Sequence, residues 1–303
     1  MKKLLGIALA SAAAGLCLSA LKKASDEQTV ELSPVKRSSP NKKAILVVSF
    51  GTSYAQTREK TIGAIEEDFR SAFPEYTIRR AFTSKMIIKK LRERDGIEVD
   101  TVAQALEKLE AEGYSTVICQ PTHVMGGFEF DDVKREVENW KGRFDHIACG
   151  WPLLTSSEDY EQVTEALVQE FSDIPSNAAL VLMGHGTEHP ANATYPALDY
   201  RLKARGCKNF FVGTVEGYPD LQTVMQEVAA IHASKVFLAP LMVVAGDHAI
   251  NDLCGEDEDS WKSCFEQAGY QTEPILKGLG EYPAFRRIYL EHCVQCIQSL
   301  ESE

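Results

Sequence analysis

A nine-residue pattern that occurs twice constrains the fold of this chain more than any other feature. ILVVSFGTS at 45–53 and LVLMGHGTE at 180–188 agree position by position: four apolar residues, an intervening pair, Gly, Thr and a polar residue. An unbroken apolar run that ends at a glycine turn suits a strand buried on both faces, and such strands belong to parallel sheets covered by helices on either side. A second match keeps the same order, TVICQPTHVMGG at 116–127 against VFLAPLMVVAGD at 236–247, each a buried strand broken by proline and closed by glycine. Two matches in one order point to an internal duplication; the general likeness of buried strands is the competing explanation.

Helical periodicity fills the gaps between these strands. After AILVVSF (44–50) an amphipathic stretch runs to Phe73 and stops at Pro74, and TIRRAFTS (77–84) is a second strand. Helices follow at 85–94 and at 99–113, where Val102, Ala105, Leu106 and Leu109 form one apolar stripe and Gly113 ends it. Strands at 115–123 and 146–154 flank a helix at 131–140, and a helix at 159–174 closes the first cycle. The second cycle reads strand 179–183, helix 194–205, strand 209–215, helix 220–232, strand 235–240, helix 258–268 and a closing helix 281–300. Strands alternating with crossover helices pair in parallel. The expected fold class is therefore α/β, with two similar doubly wound domains at 44–165 and 166–303 and a ligand cleft between them.

Length and charge bound the function. A chain of 303 residues with 44% hydrophobic and 25% charged content is an ordinary globular composition, and a net charge of −12 with dispersed basic residues argues against a nucleic-acid or anionic-membrane partner. A small-molecule partner fits better. Lys2-Lys3, the apolar run 4–18 and Leu18-Ser19-Ala20 read as an export signal over 1–20, followed by a leader over 21–43 without apolar period. The expected location is periplasmic or otherwise exported; anchoring through a lipidated Cys17 is the alternative, disfavoured by the bulky Leu16. Of eight cysteines, an odd number would remain after cleavage, which is not a disulfide framework. Cys119 and Cys149 read as buried thiols, and Cys293-Val-Gln-Cys296 lies in a helical pattern with no second ligand pair, so it reads as packing.

The candidate chemistry sits at strand ends. His185, Glu216 and His248 each follow the apolar part of a strand in the second domain, and a parallel sheet brings its carboxyl ends to one edge. Two imidazoles and a carboxylate suit Co2+, Fe2+, Ni2+ or Zn2+. Each residue also has a plain structural role open to it, a hydrogen-bonded strand-end histidine or a carboxylate at a helix N-terminus. His123 ends the matching strand of the first domain and either contacts substrate or satisfies backbone groups near Pro121. His189 lines the entrance, and His146, His232 and His292 read as structural. Gly126-Gly127 and Gly246-Asp247 allow backbone to approach a flat ligand, with no dinucleotide or phosphate-loop motif. The acidic run 256–259 supports a helix N-terminus.

GHGTEHPAN, VGTVEGYP and MVVAGDHAINDLCGEDEDSWK resemble the corresponding segments of the anaerobic sirohydrochlorin cobaltochelatases, and VSFGTS, AFTSKMI and QPTHVMGGFEF resemble their first domain; the likeness covers about 44–285. It implies a metal-free tetrapyrrole held between two α/β domains. It also implies that His185 and His248 hold incoming Co2+ while Glu216 assists metal delivery and proton removal. Substrate contacts would fall at Ser49, Gly51, Thr52, His123 and Gly126. No organic cofactor is implied, Co2+ is a substrate, and Fe2+ or Ni2+ would suit the same donors. A tetrapyrrole or metal carrier without turnover is the alternative, and a homo-oligomer stays open.

Overall fold

The computed structural model describes residues 41–302, so the expected signal at 1–20 and the leader up to residue 40 lie outside the described residues. Strand β1 (Lys43–Ser49) begins one residue inside the expected leader. Helix α1 follows as a continuous run of Ala55–Arg58, a π-helical turn Glu59–Gly63 and Ala64–Ala72. Then come β2 (Tyr76–Phe82), α2 (Lys85–Asp95), α3 (Val102–Ala111), β3 (Thr116–Pro121), α4 (Phe128–Asn139), β4 (His146–Cys149) and α5 (Ser157–Glu170). The second half holds β5 (Ala179–Gly184), α6 (Thr194–Ala204), β6 (Phe210–Thr214), α7 (Leu221–Ala230), β7 (Lys235–Pro240), α8 (Trp261–Gln267), β8 (Gln271–Pro274) and α9 (Pro283–Glu301).

Both sheets are four-stranded and parallel, ordered β2-β1-β3-β4 and β6-β5-β7-β8, so one topology occurs twice. Register refines the repeat. Val48 pairs with Pro121 and its counterpart Met183 pairs with Pro240, which makes the two prolines equivalent. The second match read from sequence is therefore off by one residue: Gly127, not Gly126, corresponds to Gly246. Backbone bonds past the strands agree, since Leu153 N donates to His123 O where Leu279 N donates to Met242 O. The slip matters because successive strand side chains point to opposite faces.

Those alternating faces define the layers. Ile45, Val47 and Ile118 of the first sheet and Leu180, Leu182 and Val212 of the second join one central core with residues of α1, α5, α6 and α9. Ala44, Leu46 and Val48 face outward under α3 and α4. Ala179, Val181 and Met183 do the same under α7 and α8. Helices thus cover both faces of each sheet, as continuous apolar strands require.

Three elements depart from the sequence expectation. The strand expected over 146–154 ends at Cys149, because Gly150 lies directly against the Gln120 side chain, whose Nε2 donates to Trp151 O at 2.9 Å. Strand β8 was not visible in the sequence: QTEP is a mostly exposed edge strand without apolar alternation. The segment after His248 is a π-helical turn, Ala249–Leu253.

The closing helix α9 returns to the first sheet. Its His292 is 3% exposed and places Nε2 2.9 Å from Asp159 Oδ1 and Nδ1 3.2 Å from Trp151 O. Asp159 Oδ2 accepts from the backbone N–H of Ser156 and Thr155 and so caps α5. Burial alone raises the Asp159 carboxyl, but His292 and these two amides outweigh it and hold the group below its ordinary 3.8. The stabilisation this carboxylate contributes is complete above that value and is lost as pH falls through the depressed one. Asp159→Asn is expected to cost about 1–3 kcal/mol at neutral pH and to flatten the acid side of the stability profile. Urea midpoints measured against pH check this, and an unchanged acid slope in the variant would refute the assignment.

Candidate metal centre

Strand β5 is the middle of three strands whose carboxyl ends build the site. Beyond it the chain turns at once, since Gly186 adopts φ +83° and a side chain there would come within 2.6 Å of Gly217 N. Gly184 has equally little room, its backbone lying against the ring of Tyr195. The Tyr195 hydroxyl accepts from Gly186 N at 3.4 Å. Asn192 ties the two loops together, accepting from Thr187 N at 3.1 Å and donating to Tyr218 O at 2.7 Å. Glu216 N donates to His185 O at 2.8 Å, so histidine and glutamate are fixed side by side by backbone alone.

His185, Glu216 and His248 converge. Each offers one ligand atom, and these atoms all lie within 4.8 Å of one another. The two imidazole centroids are 4.5 Å apart with planes at 89°, and His185 Nδ1 is 3.8 Å from Glu216 Oε2. His185 Nδ1 lies 2.9 Å from Gly186 O and His248 Nδ1 lies 2.6 Å from Asp252 Oδ2. Both partners are acceptors, so in a neutral ring the Nδ1 contact is made by an N–H and the lone pair falls on Nε2. The side chains stay partly open to solvent, at 43%, 59% and 34% exposure. Two imidazoles and a carboxylate are a donor set that suits a divalent transition-metal ion and leaves coordination positions free.

The first half carries the same frame with other residues. Ser84 N donates to Phe50 O as Glu216 N does to His185 O, and Asp131 N donates to Gly127 O as Ile250 N does to Gly246 O. Phe50, Ser84 and Glu129 therefore occupy the places of His185, Glu216 and His248. Among the residues expected to touch substrate, Ser49 and Thr52 are buried. Ser49 Oγ accepts from Thr122 Oγ1 at 2.8 Å, and Thr52 Oγ1 accepts from Tyr54 N at 3.2 Å. Gly51 has φ +101° and leaves no room for a side chain beside Phe82, whereas Gly126 has only Phe130 within reach. These residues shape the turn. The backbone near Pro121 is satisfied without the His123 ring, because Tyr289 Oη donates to Thr122 O at 2.9 Å. Both His123 ring nitrogens are buried with no partner among the described residues, and burial pushes the imidazole down to about 4, so it is neutral.

The carboxyl edges of the two sheets face each other and are bridged twice. Tyr54 Oη donates to Asp247 Oδ1 at 2.9 Å, a bond that raises the phenol above its ordinary value. His189 Nε2 stands 3.3 Å from Asp131 Oδ2, and its ring meets Phe128 edge-on at 4.9 Å. Phe50, Phe128, Tyr218 and Ile250, all past strand ends, remain exposed. A separate hollow of about 470 Å³ lined by Lys43, Tyr76, His146 and Leu300 lies at the opposite edge of the first sheet, and none of the site residues reaches it. Sequence reasoning did not single out Tyr54, Asp131 or Asp252. For Asp252 a signal existed, its spacing of four residues from His248, which places two side chains together only on a helical turn.

Fold and site define a class: a duplicated α/β protein with an open two-histidine, one-carboxylate centre where the sheet edges meet. The fold is shared with the structure of SirB from Bacillus subtilis with Fe3+, at a TM-score of 0.58 and 14% identity, covering 86% of this chain and 98% of that one. The chain belongs to the cobalt chelatase (CbiK) family, whose model matches residues 43–298. It is 45% identical over 262 residues to the sirohydrochlorin cobaltochelatase of Salmonella typhimurium, covering 86% of this chain and 99% of the relative. It is 34% identical over 273 residues to the sirohydrochlorin cobaltochelatase CbiKC of Nitratidesulfovibrio vulgaris, covering 89% and 96%. Because Gly186 seats both His185 and Glu216, Gly186→Ala is expected to lose about 1–3 kcal/mol of stability through strain and crowding. It should also weaken Co2+ binding. Denaturant unfolding and a metal titration check the pair of effects.

Proposed function

We propose that this chain inserts Co2+ into sirohydrochlorin, the activity its relatives' names state. The observation that carries the reading is the convergence of one possible ligand atom each from His185, Glu216 and His248 within 4.8 Å of one another. Insertion turns a divalent ion and a tetrapyrrole bearing two pyrrole N–H groups into a metallated ring and two protons. His185 and His248 take the ion from water as neutral ligands, exchanging hydration for nitrogen donors. Glu216, 3.8 Å from His185, accepts one of the two leaving protons beside the ion, and the other passes to the solvent to which these side chains are open. The exposed Phe50 and Phe128 supply apolar surface for the macrocycle, and a ring held bent between two fixed edges presents its lone pairs to the metal at the expense of binding energy. Fe2+ and Ni2+ satisfy the same donors, so the metal used in the cell follows supply as well as affinity.

The same reading includes export. Support comes from Lys2-Lys3, the apolar run 4–18 and Leu18-Ser19-Ala20, which precede the family match starting at residue 43. Mass spectrometry of the protein from a periplasmic fraction should give Leu21 as the first residue; recovery of intact Met1 in the cytoplasmic fraction would refute it.

His185→Ala and His248→Ala are each expected to lower Co2+ insertion into sirohydrochlorin by about 10²-fold or more, and Glu216→Gln to lower turnover while leaving Co2+ bound. Circular dichroism should not change, because all three side chains are partly exposed. Retained activity in both histidine variants would remove the ligand assignment, and a wild-type rate no faster than spontaneous insertion would make the protein a carrier.

A further inference from the structure

The π-helical turn Ala249–Leu253 is anchored by two buried side chains, Ala249 and Leu253. Leu253 packs into the outer core of the second sheet beside Val224, Trp261 and Phe265. With those two residues inward, His248 and Asp252 are left on the open side, 34% and 43% exposed, with Nδ1 and Oδ2 2.6 Å apart. Single π-helical turns of this kind concentrate at functional sites. Among the described residues Asp252 has no Lys or Arg within ion-pair distance, and its ion-pair contact is the His248 imidazole.

We propose that Asp252 is a positioning residue that locks His248 in the Nδ1–H form and aims its Nε2 at the incoming cation. The inference rests on the reading of His248 as a metal ligand. An ionised carboxylate offers only acceptors, so the shared proton resides on Nδ1, and the electron pair that binds a metal is left on Nε2. Hydrogen bonding to the carboxylate also makes the ring a stronger donor and fixes its plane, the usual service of an outer carboxylate to a metal-bound histidine. His185 receives the equivalent restraint from backbone, its Nδ1 lying 2.9 Å from Gly186 O. The two ligands are thus matched in tautomer by different means. One tie is to a main-chain carbonyl, and the other depends on a single side chain. Without Asp252 the proton is free to move to Nε2, where it blocks the metal-binding lone pair.

The test uses the full chain, metal-free, with 15N-labelled histidine. Long-range 1H–15N spectra, with His248 assigned by His248→Ala, should show the Nδ1–H form in the wild type. The proton should shift toward Nε2 in Asp252→Ala. Asp252→Asn, whose amide oxygen still accepts, should retain the wild-type tautomer. Co2+ alone, titrated and followed by its visible absorption, should bind roughly 10–100-fold more weakly to Asp252→Ala, with Asp252→Asn in between. A purely structural aspartate would move neither the ring spectrum nor the graded affinity. If Asp252→Ala keeps the Nδ1–H form and wild-type Co2+ affinity, the proposal is overturned. If instead His185→Ala and His248→Ala leave Co2+ binding unchanged, the metal-ligand reading fails, while the ring spectra still decide what Asp252 does to His248.

Discussion

Parallel pairing of β5 between β6 and β7 is the constraint on which the centre depends. Strands that run the same way end on the same edge, so residues far apart in sequence are delivered to one place without contacts of their own. His185 leaves the end of β5, Glu216 follows β6, and His248 follows β7. Register then sets the spacing. Gly184 pairs with Thr214 and Met183 with Pro240, and a slip of one residue in either pairing would turn a donor away from the other two. Core packing enforces that register, because Leu180 and Leu182 face one core while Val181 and Met183 face another.

The repeated architecture separates what the fold supplies from what the site adds. Both halves offer a strand, a glycine turn and a backbone bond from the neighbouring strand's exit loop, as Ser84 N to Phe50 O and Glu216 N to His185 O show. Only the second half fills those positions with a donor set of two imidazoles and a carboxylate. In the first half the equivalent residues are an exposed phenylalanine, a serine and Glu129. Glu129 is close enough to add its charge to the burial that raises the Tyr195 phenol, and Tyr195 lies behind the His185 turn. A shared scaffold with unequal ends sets three possible metal-ligand side chains on one half and an exposed aromatic on the other.

Much of this was legible in the sequence because the signals were strong ones. Runs such as ILVV and LVLM leave little alternative to buried parallel strands, and the glycines that close them mark where side chains become available. The duplicated order of strands follows from two short matches, although the second lies one residue out of register, since apolar residues on both faces blur the period of two that fixes register. What sequence did not reveal depends on contacts across the fold. Strand β8 lacks any apolar pattern and exists because Lys235 to Leu238 of β7 offers it an open edge. His292 reads as structural on its helix, but its partner Asp159 lies 133 residues away and is named only by the fold. Asp252 is hidden because no helix is expected between the strand at 235–240 and the helix at 258–268, and without a helical turn a spacing of four residues from His248 has no meaning.

The bridges between the halves follow the same hidden symmetry. Continuing the first match by one residue makes Tyr54 the counterpart of His189, and the corrected second match makes Phe128 the counterpart of Asp247. Tyr54 meets Asp247 and His189 meets Phe128, so the two bridges exchange places under a two-fold relation, as contacts across an isologous interface do. A contact repeated this way holds the two edges at a fixed separation on both sides of the space between them. Their chemistry nevertheless differs. One bridge is a phenol–carboxylate hydrogen bond, and the other joins an aromatic edge contact to an imidazole facing Asp131. Under the chelatase reading, a planar ring between these edges meets metal donors from one side and Phe50 at the twin position on the other. The ion is then handed over from the second half, while the first resists the ring's displacement.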